Sequence, residues 1–505
     1  MTGRKPINAG LGQIGMTWNR QGTPNGAPVG SSFFMNGHLL RMTVLVLTSD
    51  PLPLPNLPAT GAGLRAWGLA QGLVSAGIDA RALMPASILA GRADAAVEPY
   101  ASHVFPDDDL PGAIARAKPA CIVLQHWGIS ARVGAVDCPI AIDLAGPHLL
   151  ERRHWGQEHL EADWQEKVNA LRRADFVVCS GRDQRLYFLP WLMQAGFDVA
   201  DPQLCPAIPF SWSPEGPPAR TQPARAGAEL TFIAGGVLLP WQNPLPLLQV
   251  LLQEMDRAGR GRLIYAGGAH PSINVAGGEV VQLLQPLQSH PRVQWRGLAP
   301  LEEWLQVLAQ ADLAFDLLPR NNERELAFPT RTAMYLWAGL PVLHGHYDEL
   351  GRAIERRDAG WAIDPGDESA LRQALRKILA GDVDVAAKAH HARDFAREHL
   401  NWARTIGPLA QFCANPSRRT SVAVADLSNE ETPQVQALRR ELAYARSDLA
   451  ALQGKWPFRL ARALKKLAYL GAPVIYPAML VLLACIAVGA LIADYLPARK
   501  KAALP

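Results

Sequence analysis

Short, almost wholly apolar runs recur through residues 42–365 of this chain, and most of them lead through a glycine, proline or polar turn into a helix-length segment. They fall at 42–48 (MTVLVLT), 120–125, 139–144, 175–179, 230–234, 262–266, 293–295 and 312–317, and again from Val342 and Gly360. Runs without polar alternation fit strands covered on both faces. Parallel strands need long crossovers, so the alternation predicts a parallel α/β architecture. A chain of 505 residues exceeds one ordinary core, which argues for two domains plus appendages. The Pro/Ser/Gly-rich stretch 206–228 divides them, giving domains at 42–205 and 229–413. Residues 1–41 show little periodicity and no secretory signal, and read as a disordered leader.

Candidate functional residues cluster where these runs end, because open α/β sheets place their chemistry at the carboxyl ends of strands. Thr60-Gly61-Ala62-Gly63 follows the first run and opens a helix with Leu64, Trp67, Ala70, Leu73 and Val74 at helical spacing. This GxG is half of a dinucleotide fingerprint, and no acidic residue follows to hold a ribose, so no cofactor is read from it. His126 directly follows a run and is a candidate general base or acceptor-orienting group, a satisfied surface histidine being the plain alternative. Asp143, with His148 and Glu151-Arg152-Arg153, forms a second polar cluster. Ser180, Arg182, Gln184 and Arg185 begin a helix at the same edge, with an ordinary capped helix as the alternative. Asp107-Asp108-Asp109 lacks a preceding strand and is not read as a metal site.

In the second half, Gly235-Gly236 follows a strand, so a ligand could meet backbone N–H groups there. Pro240-Trp241-Gln242-Asn243-Pro244 comes next. The stretch 323–344, ERELAFPTRTAMYLWAGLPVLH, places a charged loop between a strand and a helix start, where unpaired N–H groups attract anions. Tyr347-Asp348-Glu349-Leu350 opens another helix at this edge.

The "GG…PWxNP" string and the "YLWAGLPV" turn resemble the family 4 (group 1) retaining glycosyltransferases of GT-B fold. The resemblance covers most of residues 42–413 and implies two Rossmann-like domains facing a cleft, with a last helical piece crossing back to the first. It implies transfer of a sugar from a nucleotide-sugar donor to an acceptor, without metal or other cofactor. By this likeness Gly235, Gly236, Trp241, Asn243, Glu323, Arg331 and Glu349 bind the donor. Gly61, Gly63 and Arg182 lie on the acceptor side, and His126, Asp143 and Glu325 are the catalytic candidates. Two departures stand out. Gln242 occupies a place where many relatives carry a cation, so Arg331 or Arg320 must supply the charge. The family's two carboxylates, one toward the donor sugar and one gripping the ribose, map onto Leu326 and Met334; Glu323 and Glu325 remain for the first role.

Charge is uneven. The chain carries a formal +4, but from Lys455 onward eight basic residues face only Asp494, leaving a mildly acidic body. That balance argues against nucleic acid and for a membrane surface near the tail. After a linker at 414–433, residues Val435, Leu438, Leu442, Ala445, Leu449 and Leu452 keep 3,4 spacing, predicting a coiled-coil stalk at 434–454 and with it a homo-oligomer, a solvated helix being the alternative. A basic amphipathic segment follows at 455–472. Residues 474–493 carry no charge and are long enough to span a bilayer, predicting one transmembrane helix, a cytosolic body at the inner membrane and a lipid-linked or glycan acceptor. The scattered cysteines suggest neither zinc nor a disulfide framework. The expected function is a glycosyltransferase in surface polysaccharide or glycoconjugate synthesis. The alternatives are a non-catalytic GT-B scaffold subunit and a sugar-nucleotide epimerase.

Overall fold

The computed structural model describes residues 43–58, 60–154, 160–217, 229–239, 241–271 and 284–420. Among them, six strands form a first sheet: β1 Val44–Leu47, β2 Ala80–Pro85, β3 Val104–Phe105, β4 Cys121–Leu124, β5 Ile140–Leu144 and β6 Phe176–Cys179. Six more form a second: β7 Thr231–Val237, β8 Arg262–Gly268, β9 Val293–Arg296, β10 Leu313–Asp316, β11 Val342–Gly345 and β12 Gly360–Ile363. The orders are β3-β2-β1-β4-β5-β6 and β12-β11-β10-β7-β8-β9, the same doubly wound order twice. Every pairing is parallel. The apolar runs explain the central strands: every residue of β1, β4, β5, β10 and β11 is buried. β2 and β3 had no sequence signal, because Arg81 interrupts the one and the other is only two residues long.

Three ties join the two halves. The stretch after Pro206 runs along the sheet edge, where Ile208 donates its N–H to the Cys179 carbonyl at 2.7 Å. Trp212 pairs with the segment around Asn401, donating to the Leu400 carbonyl at 2.8 Å, and its ring stacks on Trp337 at 5.3 Å. The Gly407–Ala414 helix inserts Leu409 and Cys413 into the apolar cluster that contains Val44, Val46 and Leu73 of the first half. The chain therefore leaves the second sheet and returns to the first.

The tail requires a correction. The expected stalk (434–454), basic segment (455–472) and membrane helix (474–493) lie outside the described residues, as does the leader 1–41. No helix among the described residues is long and apolar enough to cross a membrane. The location expected from a single C-terminal anchor is thus unsupported and is given up, and with it the membrane-bound acceptor.

A buried ion pair fixes the first sheet to this crossing. Arg65, on the Gly61–Ser75 helix, donates from Nε and Nη2 to the two carboxylate oxygens of Asp143, each at 2.9 Å, and from Nη1 to the Pro209 carbonyl at 2.9 Å. Its guanidinium lies 5.1 Å from the Phe210 ring centroid. Arg65 and Asp143 are 3% and 0% exposed. The expected catalytic role of Asp143 is corrected on this ground: both oxygens are committed to Arg65, so it is a structural anion. Removing one partner strands the other in a dry interior. Arg65→Met should therefore destabilise the protein by about 3–5 kcal/mol, whereas adding Asp143→Leu should restore much of that loss. Urea denaturation of the single and double variants measures it, and equal losses in both would remove the ion pair as the cause.

Candidate functional site

Because both sheets share one strand order, their switch points, between β1 and β4 and between β7 and β10, open toward the same crevice. A cavity of about 300 Å³ lies there. The first half lines it with Asp50 after β1, Thr60 and Gly61 at a helix start, Gln125 after β4, and His148 and Glu151 after β5. The second half contributes Gly236, Trp241, Gln242, His270, Glu323, Arg324, Thr330, Arg331 and Met334.

The geometry on the second side centres on Arg331. It stands in the first turn of the Thr330–Trp337 helix and donates to the Gly235 carbonyl and to Gln242 Oε1, both at 2.9 Å. Asp316 Oδ1 lies 3.4 Å from its Nη2. The glycines make this arrangement feasible. Gly235 has φ +143°, and a Cβ on it would stand 1.9 Å from the Ala266 carbonyl oxygen; a Cβ on Gly236, at φ +105°, would stand 2.4 Å from Arg331 Cδ. Gln242 orients Arg331 through its Oε1. Burial would raise the Asp316 carboxyl, but Arg331 and His344, with the Thr332 hydroxyl donating at 2.5 Å, hold it below the usual carboxylate range. Sequence reasoning missed Asp316, though its place at the end of β10 was a readable signal.

On the first side His148, not His126, meets the cavity. Glu151 Oε2 lies 2.9 Å from His148 Nδ1. Burial pushes Glu151 up, yet His148 and then Arg324 from the opposite half pull it below its ordinary value. Arg324 itself forms a two-point pair with neighbouring Glu323, at 2.6 and 2.7 Å. Burial works against its charge, but Glu323 raises it above the ordinary arginine range. Asp50 Oδ1 and His270 Nε2 meet across the crevice at 3.0 Å. Asp50, His270 and Arg324 were not foreseen; Asp50 and His270 both follow strands, which is the one signal that could have found them.

Several expected site residues lie elsewhere. His126 sits behind His148, ring centroids 3.7 Å apart, with Nδ1 accepting from Gly128 N–H at 3.0 Å. Burial first, then His148, Arg152 and Lys167, drive its imidazole well below the usual range, so it is neutral and walled off from the cavity. Lys167 is enclosed by the rings of Tyr187, Phe188 and Trp191, 4.1 to 4.8 Å from Nζ, and burial lowers it to about 7. Glu325 turns to the surface and pairs with Arg320 at 2.8 Å, which removes both from the site. Asn243 caps the next helix by accepting from Leu245 N–H at 3.0 Å. Gly63 lies under the Pro51 carbonyl, where a Cβ would come within 1.8 Å. Arg182 is exposed at the start of the Arg182–Gln194 helix. Glu349 accepts from Asp183 N–H of that helix at 3.3 Å, and burial raises its carboxyl; it bridges the halves outside the cavity. Gly61, Gly236, Trp241, Glu323 and Arg331 are the expected residues that line the cavity, with Gly235 one bond behind. Met334 lines it too, its Sδ receiving the Trp304 indole N–H at 2.8 Å.

Behind Arg331, His344 is buried with Nε2 at 2.8 Å from Asp348 Oδ2 and Nδ1 at 2.9 Å from the Asp316 carbonyl. Burial alone would lower it, but Asp348 and Asp316 outweigh that and raise it. With both ring nitrogens facing acceptors, the imidazolium is the favoured form. The folded protein then holds this proton at pH values where the unfolded chain, near 6.5, has released it. Stability from His344 should be complete below about pH 6.5 and fall as pH rises through the folded value, by about 1.4 kcal/mol per pH unit between the two. Subtracting the pH profile of His344→Gln from that of the wild type in urea denaturation isolates this slope. A flat difference would show that His344 is neutral in the fold.

No sequence family matches the chain, and no curated protein matches it. Solved structures do. Sucrose-phosphate synthase from Thermosynechococcus elongatus superposes with a TM-score of 0.54 at 17% identity, covering 74% of this chain and 98% of that one. HepE from Anabaena, in complex with UDP-glucose, gives 0.52 at 16%, covering 74% and 99%. Trehalose-6-phosphate synthase OtsA gives 0.54 at 10%, covering 75% and 100%. At such identities the likeness carries architecture, and the architecture is the GT-B fold: two parallel Rossmann-like sheets with a crevice between them.

Proposed function

We propose that this chain is a glycosyltransferase that moves a sugar from a nucleoside-diphosphate donor to an acceptor held in the same crevice. The carrying observation is the fixed guanidinium of Arg331, set beside Gly236 and the start of the Thr330–Trp337 helix. Arginine has five N–H donors, and only two are spent on Gly235 and Gln242. The rest, the cation of Arg324 and the open N–H groups of the helix start make this wall a receptor for a diphosphate. The match to a fold-mate solved with UDP-glucose supports the same donor class.

The same charges stabilise the diphosphate as it leaves. Each carboxylate of the cavity wall already faces a partner: Asp50 with His270, Glu151 with His148, Glu323 with Arg324. No carboxylate of the wall stands unpartnered. This favours a retaining course in which the C1–oxygen bond of the donor breaks, the acceptor hydroxyl bonds to C1 from the same face, and its proton passes to the departing phosphate oxygen. The positive charge comes from Arg331 and Arg324, and no metal is invoked.

Met334 favours a second reading, a non-catalytic member of the same fold, since it places a thioether where a carboxylate would hold ribose hydroxyls. Thermal shift of the full chain against a nucleotide panel separates the two. UDP or UDP-glucose at a hundred times its Kd should add about 2.7 kcal/mol of stability. Arg331→Ala should weaken that binding about 10- to 150-fold, as loss of a charged hydrogen bond predicts. If no nucleotide stabilises the protein, the second reading takes over.

A further inference from the structure

The two ends of the cavity differ in chemistry. Next to Arg331, toward the start of its helix, stand the charged groups of Glu323 and Arg324, with Glu151 and His148 facing them. Along the helix the other way stands Met334, three residues on. A residue at i+3 lies on the same face, about 4.5 Å farther along the axis. Met334 belongs to an apolar cluster with Trp304, Ala266 and Phe328, and Leu298 and Ala299 line the same cavity.

A diphosphate held at Arg331 must send its sugar one way and its nucleoside the other. A hexose carries several hydroxyls, each of which needs a partner when taken out of water. The charged end supplies four such side chains, whereas Leu298, Ala299 and Trp304 line the Met334 end, with the mutually bonded Asp50–His270 pair across the crevice. The nucleoside therefore lies toward Met334, with its pentose, the unit joined directly to the diphosphate, at the first turn past Arg331.

A ribose there would present two neighbouring hydroxyls to Met334. A thioether sulfur is a weak acceptor, and this one already receives the Trp304 indole N–H at 2.8 Å. Met334 and Trp304 are 4% and 8% exposed, so the pair is fixed by packing. The side chain that faces the pentose has nothing to offer its 2′-hydroxyl.

We propose that Met334, locked by Trp304, leaves the 2′-position of the donor pentose unread, so that 2′-deoxyribonucleoside diphosphates, thymidine diphosphate sugars among them, enter the site as readily as UDP-sugars. This rests on the transferase reading and specifies its donor class.

Titration calorimetry of the full chain with UDP and with 2′-deoxyuridine 5′-diphosphate tests it, since the two differ only at that hydroxyl. The expected result is two Kd values within about 3-fold of each other. Met334→Glu should restore a carboxylate and shift the ratio to about 10-fold or more in favour of UDP, the value of one charge-assisted hydrogen bond. Met334→Leu should leave it near unity. The ratio is read within one protein sample, so a loss of stability in a variant does not imitate the effect. A wild-type preference for UDP of about 10-fold or more overturns the inference and leaves the transferase reading standing, because a site that reads a hydroxyl rejects the ligand lacking it. Binding of neither diphosphate at millimolar concentration overturns the transferase reading itself, and the inference with it.

Discussion

Arg331 is the group on which the crevice depends. A guanidinium cannot lose its proton in a protein, so its position decides where an anion binds. Here that position is set before any ligand arrives, by the Gly235 carbonyl, Gln242 and Asp316. Each contact has its own cause in the sequence. The carbonyl is accessible because two glycines with positive φ let the end of β7 turn beneath the side chain. Asp316 is charged there because Arg331 and His344 offset its burial. A donor wall of this kind needs no rearrangement as charge develops, which is where such groups gain their effect.

The same logic extends to the fold. Two sheets wound in one order bring two switch points to one crevice, so its lining comes from strand ends and helix starts of both halves. The halves are then held in register by ties outside the cavity. Glu349 caps the Arg182–Gln194 helix of the other half, Arg352 pairs with Asp183, and the Gly407–Ala414 helix lies in the core of the first sheet. These contacts use charged groups that sequence reading would place in the site. Their distance from the cavity is a consequence of size: the crevice is small, and the charged rim around it is not.

Most of the fold was legible because a strand buried on both faces leaves a plain signature, an apolar run with no alternation. β1, β4, β5 and β10 all carry it. β2 was hidden because it lies beside the edge of its sheet and tolerates Arg81 at an exposed position, and β3 because two residues make no pattern. The site was legible where backbone geometry sets the residue, as at Gly235, Gly236 and the start of the Thr330–Trp337 helix. It was illegible where function depends on a partner. Asp143 reads as a free carboxylate at a strand end, yet Arg65, 78 positions away, occupies both its oxygens. His126 follows its strand directly, but a φ of +123° turns it behind His148. Only contacts across the sequence distinguish a poised side chain from a neutralised one.

That distinction also limits the chemistry. In the cavity Glu323 pairs with Arg324, Asp50 and Glu151 face the imidazoles of His270 and His148, and Arg331 is matched only in part by Asp316 at 3.4 Å. Arg331 keeps donors to spare on its side of the wall, which suits a diphosphate. A carboxylate beside an arginine has its charge stabilised and its basicity reduced, since the same field that lowers its pKa weakens its pull on a proton. On the proposed reading, the phosphate oxygen released when the donor's glycosidic bond breaks is a proton acceptor that the ligand itself brings into the crevice. On that reading the protein's part is to hold that oxygen near the acceptor hydroxyl and to keep water out.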